Sequence, residues 1–172
     1  LGFARESLEA ALDTGVPWRP GVVALCMEVG LRDRARTALR EALQRDLTVN
    51  GLPALRASAT WPATISFLGE AAAWLGDEEA MGVLLPEAER YHGLNLMGSE
   101  MLALLGSADL LIGLLRAGLG RPGVEEAFAA ALDLDRRTGS VLHEATTHAH
   151  WAAYLRRTPP RRRLTGSGST RS

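Results

Sequence analysis

The chain contains no lysine: all 19 of its basic residues are arginine. With Ala, Gly and Leu so abundant, that is a mark of GC-rich coding and carries no chemistry. There is one cysteine, Cys26. An intramolecular disulfide is therefore excluded, which fits a reducing compartment. Aromatic residues make up only 5% and β-branched runs are missing, so no segment reads as a convincing strand. The longest apolar run, Met101 to Leu115, is interrupted by Ser107 and Asp109 and is too short to cross a bilayer. No signal peptide is visible, and the expected location is cytoplasmic. The chain opens on Leu1, as a piece of a longer polypeptide would. There is no GxxxxGK[ST] phosphate loop, no HExxH pair and no nucleophile–base pattern. The expectation is a non-enzyme with no catalytic residue, no cofactor and no metal.

What remains is a helix-forming composition. The 172 residues are 47% hydrophobic and 23% charged, enough for one domain or a short repeat array with a buried core. Leu and Ala dominate, and both favour helix. The net charge of −1 hides an asymmetry. Residues 1–155 hold 13 arginines against 20 acids, a net of −7, while the six remaining arginines follow Leu155. An acidic body is a poor surface for duplex DNA, because neutralising phosphates needs a basic face.

Helix periodicity and breakers divide the chain. A terminal helix is expected over 3–13, ended by Asp13-Thr14-Gly15, with Pro17 and Pro20 in the connection. Val22 to Val29 forms a short apolar helix closed by Gly30, and Asp33 can cap Arg34 to Arg45. Asn50-Gly51 and Pro53 mark a loop. Trp61-Pro62 opens a helix that ends at Gly76. Asp77 caps Glu78 to Tyr91, with Pro86 expected to kink or split it. His92 to Asn95 is loop. Ser99 is read as the cap of a short helix, Glu100 to Leu105, and Ser107 as the cap of Ala108 to Leu119. Val124 to Arg137 and Val141 to Arg157 complete the helices. Residues 158–172, rich in Arg, Gly and Ser, are expected to be a disordered tail.

Three of these helix pairs, about 22–45, 61–91 and 107–137, repeat one another. The turn glycines Gly30, Gly76 and Gly120 lie 46 and 44 residues apart. In the second helices Ala35, Ala80 and Val124 correspond, then Leu39, Leu84 and Phe128. In the first helices Gly69 and Gly113 correspond, with Val23 in the first copy. A glycine inside a helix costs about 1 kcal/mol relative to alanine. Its recurrence at one register predicts a place where a neighbouring helix leaves no room for a Cβ. The expected fold is all-α, a 1–157 helical-repeat domain in which helix hairpins stack as an α-solenoid. Leu-Gly in the first helix, Gly at the turn, and Ala followed four later by a large apolar residue resemble the tetratricopeptide repeat. The period here exceeds the roughly 34 residues of that repeat; long connections and the short helix at 100–105 are expected to absorb the excess.

The stretch Trp74 to Leu155, about half the chain, resembles the helical-repeat region of large bacterial LuxR-type ATP-dependent transcriptional regulators. It is similar also to that of related signalling ATPases and adenylate cyclases. The markers are Leu75-Gly76-Asp77, PEAERY at 86–91, LGSAD at 105–109, LGRPGVEEAF at 119–128 and ALDLDRRTG at 131–139. The resemblance implies a scaffold that binds a protein, a peptide or other domains of its own polypeptide, within signal transduction or transcription regulation. By analogy with tetratricopeptide folds, first helices line the concave surface. That makes Ser66, Glu70, Ala73, Ser107, Leu110 and Leu114 the candidate interaction surface. The alternative is a small-molecule (inducer) sensor with a pocket in that concave face. ATPase or DNA-binding activity would belong to flanking domains, since neither pattern occurs here. Exposed solenoid ends imply self-association.

Other groups have simpler readings. His143, His148 and His150 with Glu144 form the densest set of potential ligands, but 148 leaves the face shared by 143 and 150. A half-exposed last helix accounts for them better than a metal site. Cys26 reads as a small core residue. Trp18, Trp61, Trp74 and Trp151 read as packing between helix pairs rather than an aromatic cage. Asp77-Glu78-Glu79 reads as a helix cap with its dipole complement, not a catalytic set. RRTPPRRR, at 156–163, reads as a solvated linker rather than a contact for nucleic acid or an acidic partner.

Overall fold

A computed structural model describes residues 19–48, 56–98 and 103–158. The expected helix at 3–13, the Asn50–Pro53 loop, the Ser99 cap and residues 159–172 lie outside the described residues. The rest is mostly helical, with one small sheet. Helices α1 (Arg19–Glu28), α2 (Arg32–Thr48), α3 (Trp61–Leu75) and α4 (Glu78–Glu89) lead into strands β1 (Asn95–Gly98) and β2 (Ala103–Ser107). Helices α5 (Ala108–Gly118), α6 (Val124–Arg137) and α7 (Val141–Arg157) follow.

The glycine turns have one common construction. At Gly30, Gly76, Gly120 and Gly139 the backbone is left-handed, with φ between 61 and 75°. Each glycine N–H reaches back three residues, and the next residue's N–H reaches back five: Gly30 to Met27 and Leu31 to Cys26, Gly76 to Ala73 and Asp77 to Ala72. The same two bonds recur from Gly120 to Ala117 and Arg121 to Arg116, and from Gly139 to Arg136 and Ser140 to Asp135. This pairing satisfies carbonyls that the helix end leaves without partners, and only glycine reaches that conformation without a Cβ penalty.

Caps set the helix starts. Asp77 accepts a bond from the Ala80 N–H at 3.2 Å, and Ser107 accepts one from Asp109 N–H at 3.1 Å. Asp33 does not cap: α2 begins at Arg32, so Asp33 lies in its first turn, where its charge still suits the helix dipole. Pro20 is in the first turn of α1 rather than in the connection, a position where its missing N–H costs nothing. Helix α4 continues through Pro86 unsplit. Pro86 and Gly82, whose carbonyl loses its partner, are both exposed, so water can satisfy that oxygen.

The strands leave the fold class all-α but correct the expectation of a short helix before α5. β2 occupies part of the segment expected as a short helix over Glu100–Leu105, and it pairs antiparallel with β1, with a register irregularity between Leu96 and Met97. The stretch has no β-branched residues to announce a strand. Its conformation comes from packing: Leu96 is buried in the core and β1 lies against α3, while β2 lies against α5 and α6. Such context overrides intrinsic strand propensity. The ribbon therefore fills part of the connection between α4 and α5.

The helices pack in chain order. α1 meets α2 and α3, α3 meets α2, α4 and α5, α5 meets α4 and α6, and α6 meets α7. The positions matched by the repeat are all buried: Val23, Ala35 and Leu39, then Gly69, Ala80 and Leu84, then Gly113, Val124 and Phe128. The two mid-helix glycines are indeed contact points. A Cβ on Gly69 would lie 2.7 Å from Leu111 Cδ1, and one on Gly113 would lie 3.0 Å from Phe128 Cε1. The contacts are not equivalent, however. Gly69 admits a residue of α5, a helix of the next pair, whereas Gly113 admits a residue of α6, its own partner helix.

Candidate interaction surface

The six residues singled out from the sequence lie on, or immediately before, the two touching helices α3 and α5. Ser66, Glu70 and Ala73 recur at helical spacing along α3; Ser107, Leu110 and Leu114 do so at and after the start of α5. The Gly69–Leu111 contact lies between the two sets and brings the helices together.

Their exposure divides them. Ser66 is buried and its hydroxyl donates to Glu70 Oε1 at 3.0 Å. Ser107 is buried, and its side chain is occupied as the cap of α5. Glu70, Ala73, Leu110 and Leu114 are half-buried, so of the six these are the ones with accessible surface. Removal from water pushes the Glu70 carboxyl above the usual carboxylate range; the Ser66 bond opposes this and the nearby Glu28 adds to it.

Beside Ser107 is a polar arrangement that sequence periodicity does not announce. Asp109 is buried, takes a bond from His92 Nδ1 at 2.6 Å and another from Gly93 N–H at 2.9 Å. It ties the turn after α4 to the start of α5. His92 itself is largely exposed. A second unannounced group is Arg32, whose guanidinium lies over Trp74. In the sequence Arg32 is one of three arginines at 32, 34 and 36, and nothing marks it out until its neighbour is known.

The remaining candidates disperse. His143 bonds Ser140 Oγ at 2.6 Å and lies over Gly106. Glu144 takes Arg136 Nε at 2.7 Å, with His148 3.7 Å away. Among the described residues no three His, Cys, Asp or Glu side chains converge as a metal would require. Cys26 is a buried core residue whose thiol pKa burial pushes up. Trp61 is buried, Trp74 underlies Arg32 and Trp151 stacks on Phe128 at 6.1 Å. No described helix is long and apolar enough to cross a membrane.

Comparison with models of protein families, with curated proteins and with solved structures finds no match.

Proposed function

We propose that the chain is a TPR-like α-solenoid segment of a bacterial signalling or transcriptional regulator, and that it binds rather than catalyses. Its ligand is a protein or peptide, or another domain of the same polypeptide, held on the face that α3 and α5 share. The observation that carries this reading is the recurrence of one helix stop at Gly30, Gly76, Gly120 and Gly139. Successive first helices α1, α3 and α5 also touch in series. Repeats of that kind present an extended surface built from several units. Half-buried Leu110 and Leu114, with Glu70 between apolar neighbours, give it an apolar floor and one anionic point.

The test is site-specific photocross-linking in cells. A photoreactive side chain at Leu114 or Ala73 is expected to capture one discrete macromolecular partner or a distant segment of the same polypeptide. The same group at Glu126, on the exposed side of α6, is expected to capture neither. Equal labelling from all three positions, or none from Leu114 and Ala73, removes this face from the interface.

A further inference from the structure

Helix α7 is covered far less than the first helices α3 and α5. No residue of α3 is exposed, and none of α5 before Gly118. α7 starts after the same kind of glycine turn but packs on α6 and only slightly on α5. Its inner edge holds Thr147, Trp151 and Tyr154, the last two against Phe128. On the opposite side run Leu142, Ala145, Ala149 and Ala152, all exposed. Their alternating spacing of three and four residues is that of a seam that another helix covers. Val141 and Leu155 flank it. Val141, Leu142 and Leu155 are 77%, 75% and 51% exposed, the first two being the most exposed large apolar side chains among the described residues.

The exposed charges on this helix have one sign. Arg156 and Arg157 are exposed, while the single acid of the helix, Glu144, is half-buried and held by Arg136. We propose that the seam seats an amphipathic helix with an acidic first turn, supplied by a partner polypeptide, as the second member of a fourth helix pair. Two observations choose this occupant. The first is continuity: α3 is covered by α4 and α5 by α6, and those covering helices begin with Glu78-Glu79 and Glu125-Glu126. The second is charge. A covering helix that lies antiparallel to α7 starts beside its end, and α7 ends in Arg156 and Arg157. A second copy of α7 fits poorly. Laid parallel it sets arginines against arginines; laid antiparallel it sets them against the positive end of the partner helix. The sequence of residues 158–172 does not match such a helix either: Pro159-Pro160 is followed by Arg, Gly and Ser with no acid and no apolar stripe.

The inference rests on the stacked-hairpin reading but not on the α3–α5 face. Its failure leaves cross-links from Leu114 untouched. The probe is a fluorescent, helix-stapled peptide of residues 124–137, titrated into the full chain by anisotropy. A control peptide carries arginine at each of its acidic positions. Saturable binding of the acidic peptide is expected, with the control about tenfold weaker or worse. Ala149→Glu is expected to weaken binding about tenfold or more, the equivalent of one well-packed interface contact. Because Ala149 is exposed, circular dichroism and Tm should not move. No saturable binding, equal binding of both peptides, or indifference to Ala149→Glu overturns the proposal. So does a wild-type dimer in light scattering that Ala149→Glu converts to monomer, since a second copy would then hold the seam.

Discussion

The guanidinium of Arg32 lies 4.5 Å from the centre of the Trp74 ring, and its Nη2 donates to the Trp74 carbonyl at 3.1 Å. One arginine thus uses both the face of an indole and an unpartnered carbonyl at the end of α3. It joins the turn of the first helix pair to the turn of the second. Each contact is modest at a partly solvated site, about 0.5–1 kcal/mol for the cation over the ring. Arg32→Ala is expected to cost about 1 kcal/mol in a urea melt. Arg32→Lys should recover little of it, because an ammonium cannot stack and bond in that fork geometry. Full recovery by lysine would mean that only charge matters there.

Three helix glycines separate packing from propensity. Gly82 has open space where its Cβ would be, so Gly82→Ala should stabilise by about 0.5–1 kcal/mol. At Gly113 the same change pushes a methyl into the Phe128 ring, which Trp151 and Tyr154 hold from beyond. Gly113→Ala is expected to destabilise by about 1 kcal/mol or more despite better propensity. Gly69→Ala should also destabilise, though Leu111 has more freedom to turn aside than a ring has. Thermal melts that rank Gly113→Ala above wild type would show that its contact is not tight.

Thr147 Oγ1 donates to Asp135 Oδ2 at 2.9 Å, and both side chains are buried. Thr147→Val keeps the shape and removes the donor. An unsatisfied buried carboxylate is expected to cost about 2 kcal/mol. Replacing both residues, Thr147→Val with Asp135→Leu, should restore much of that, because nothing polar is then left without a partner. A double-mutant cycle with no coupling would refute the bond as a source of stability.

Two acids carry opposite pH signs. Arg56 Nε donates to Glu87 Oε2 at 2.8 Å, and Arg56 Nη2 bonds Oε1. These bonds hold the Glu87 carboxyl below its ordinary pKa. Its contribution is therefore present above the unfolded-state carboxylate pKa and is lost as pH falls through the lower folded value. Glu87→Gln should destabilise at neutral pH and flatten the acid limb of the stability curve. Glu70 is the reverse: its pKa is raised, chiefly by desolvation. Its favourable share is complete below the unfolded pKa and disappears as pH rises through the folded one. Glu70→Gln, which keeps an acceptor for Ser66, should therefore raise Tm at neutral pH and not at low pH. The same change in both variants' pH profiles would contradict this assignment.

The limits of sequence reading follow from what each signal measures. Periodic apolar residues and Gly-ended helices report local geometry, so α3, α5, α6 and α7 were legible almost to the residue. So were the caps at Asp77 and Ser107, because a cap bonds its own first turn. The ribbon at 95–107 was not legible. Its strands carry no strand-forming residues, and Leu96 is held by α3, which precedes it by a full helix. The candidate surface divided for the same reason. Helical spacing put Ser66, Glu70 and Ala73 on one face, but burial withdrew the hydroxyls of Ser66 and Ser107 and left Glu70, Ala73, Leu110 and Leu114 accessible.

By itself the chain's order of residues determined where helices begin and stop, since caps and left-handed glycines act within a few bonds of their own position. It determined too that Gly69 and Gly113 face neighbours rather than water. Only the tertiary structure decided which neighbours: Leu111 from the next pair for one, Phe128 from the adjoining helix for the other. It also decided that Arg32 finds Trp74, and that α7 keeps a bare apolar side. Such pairings join residues far apart in the chain, and no local pattern records a contact made across that distance.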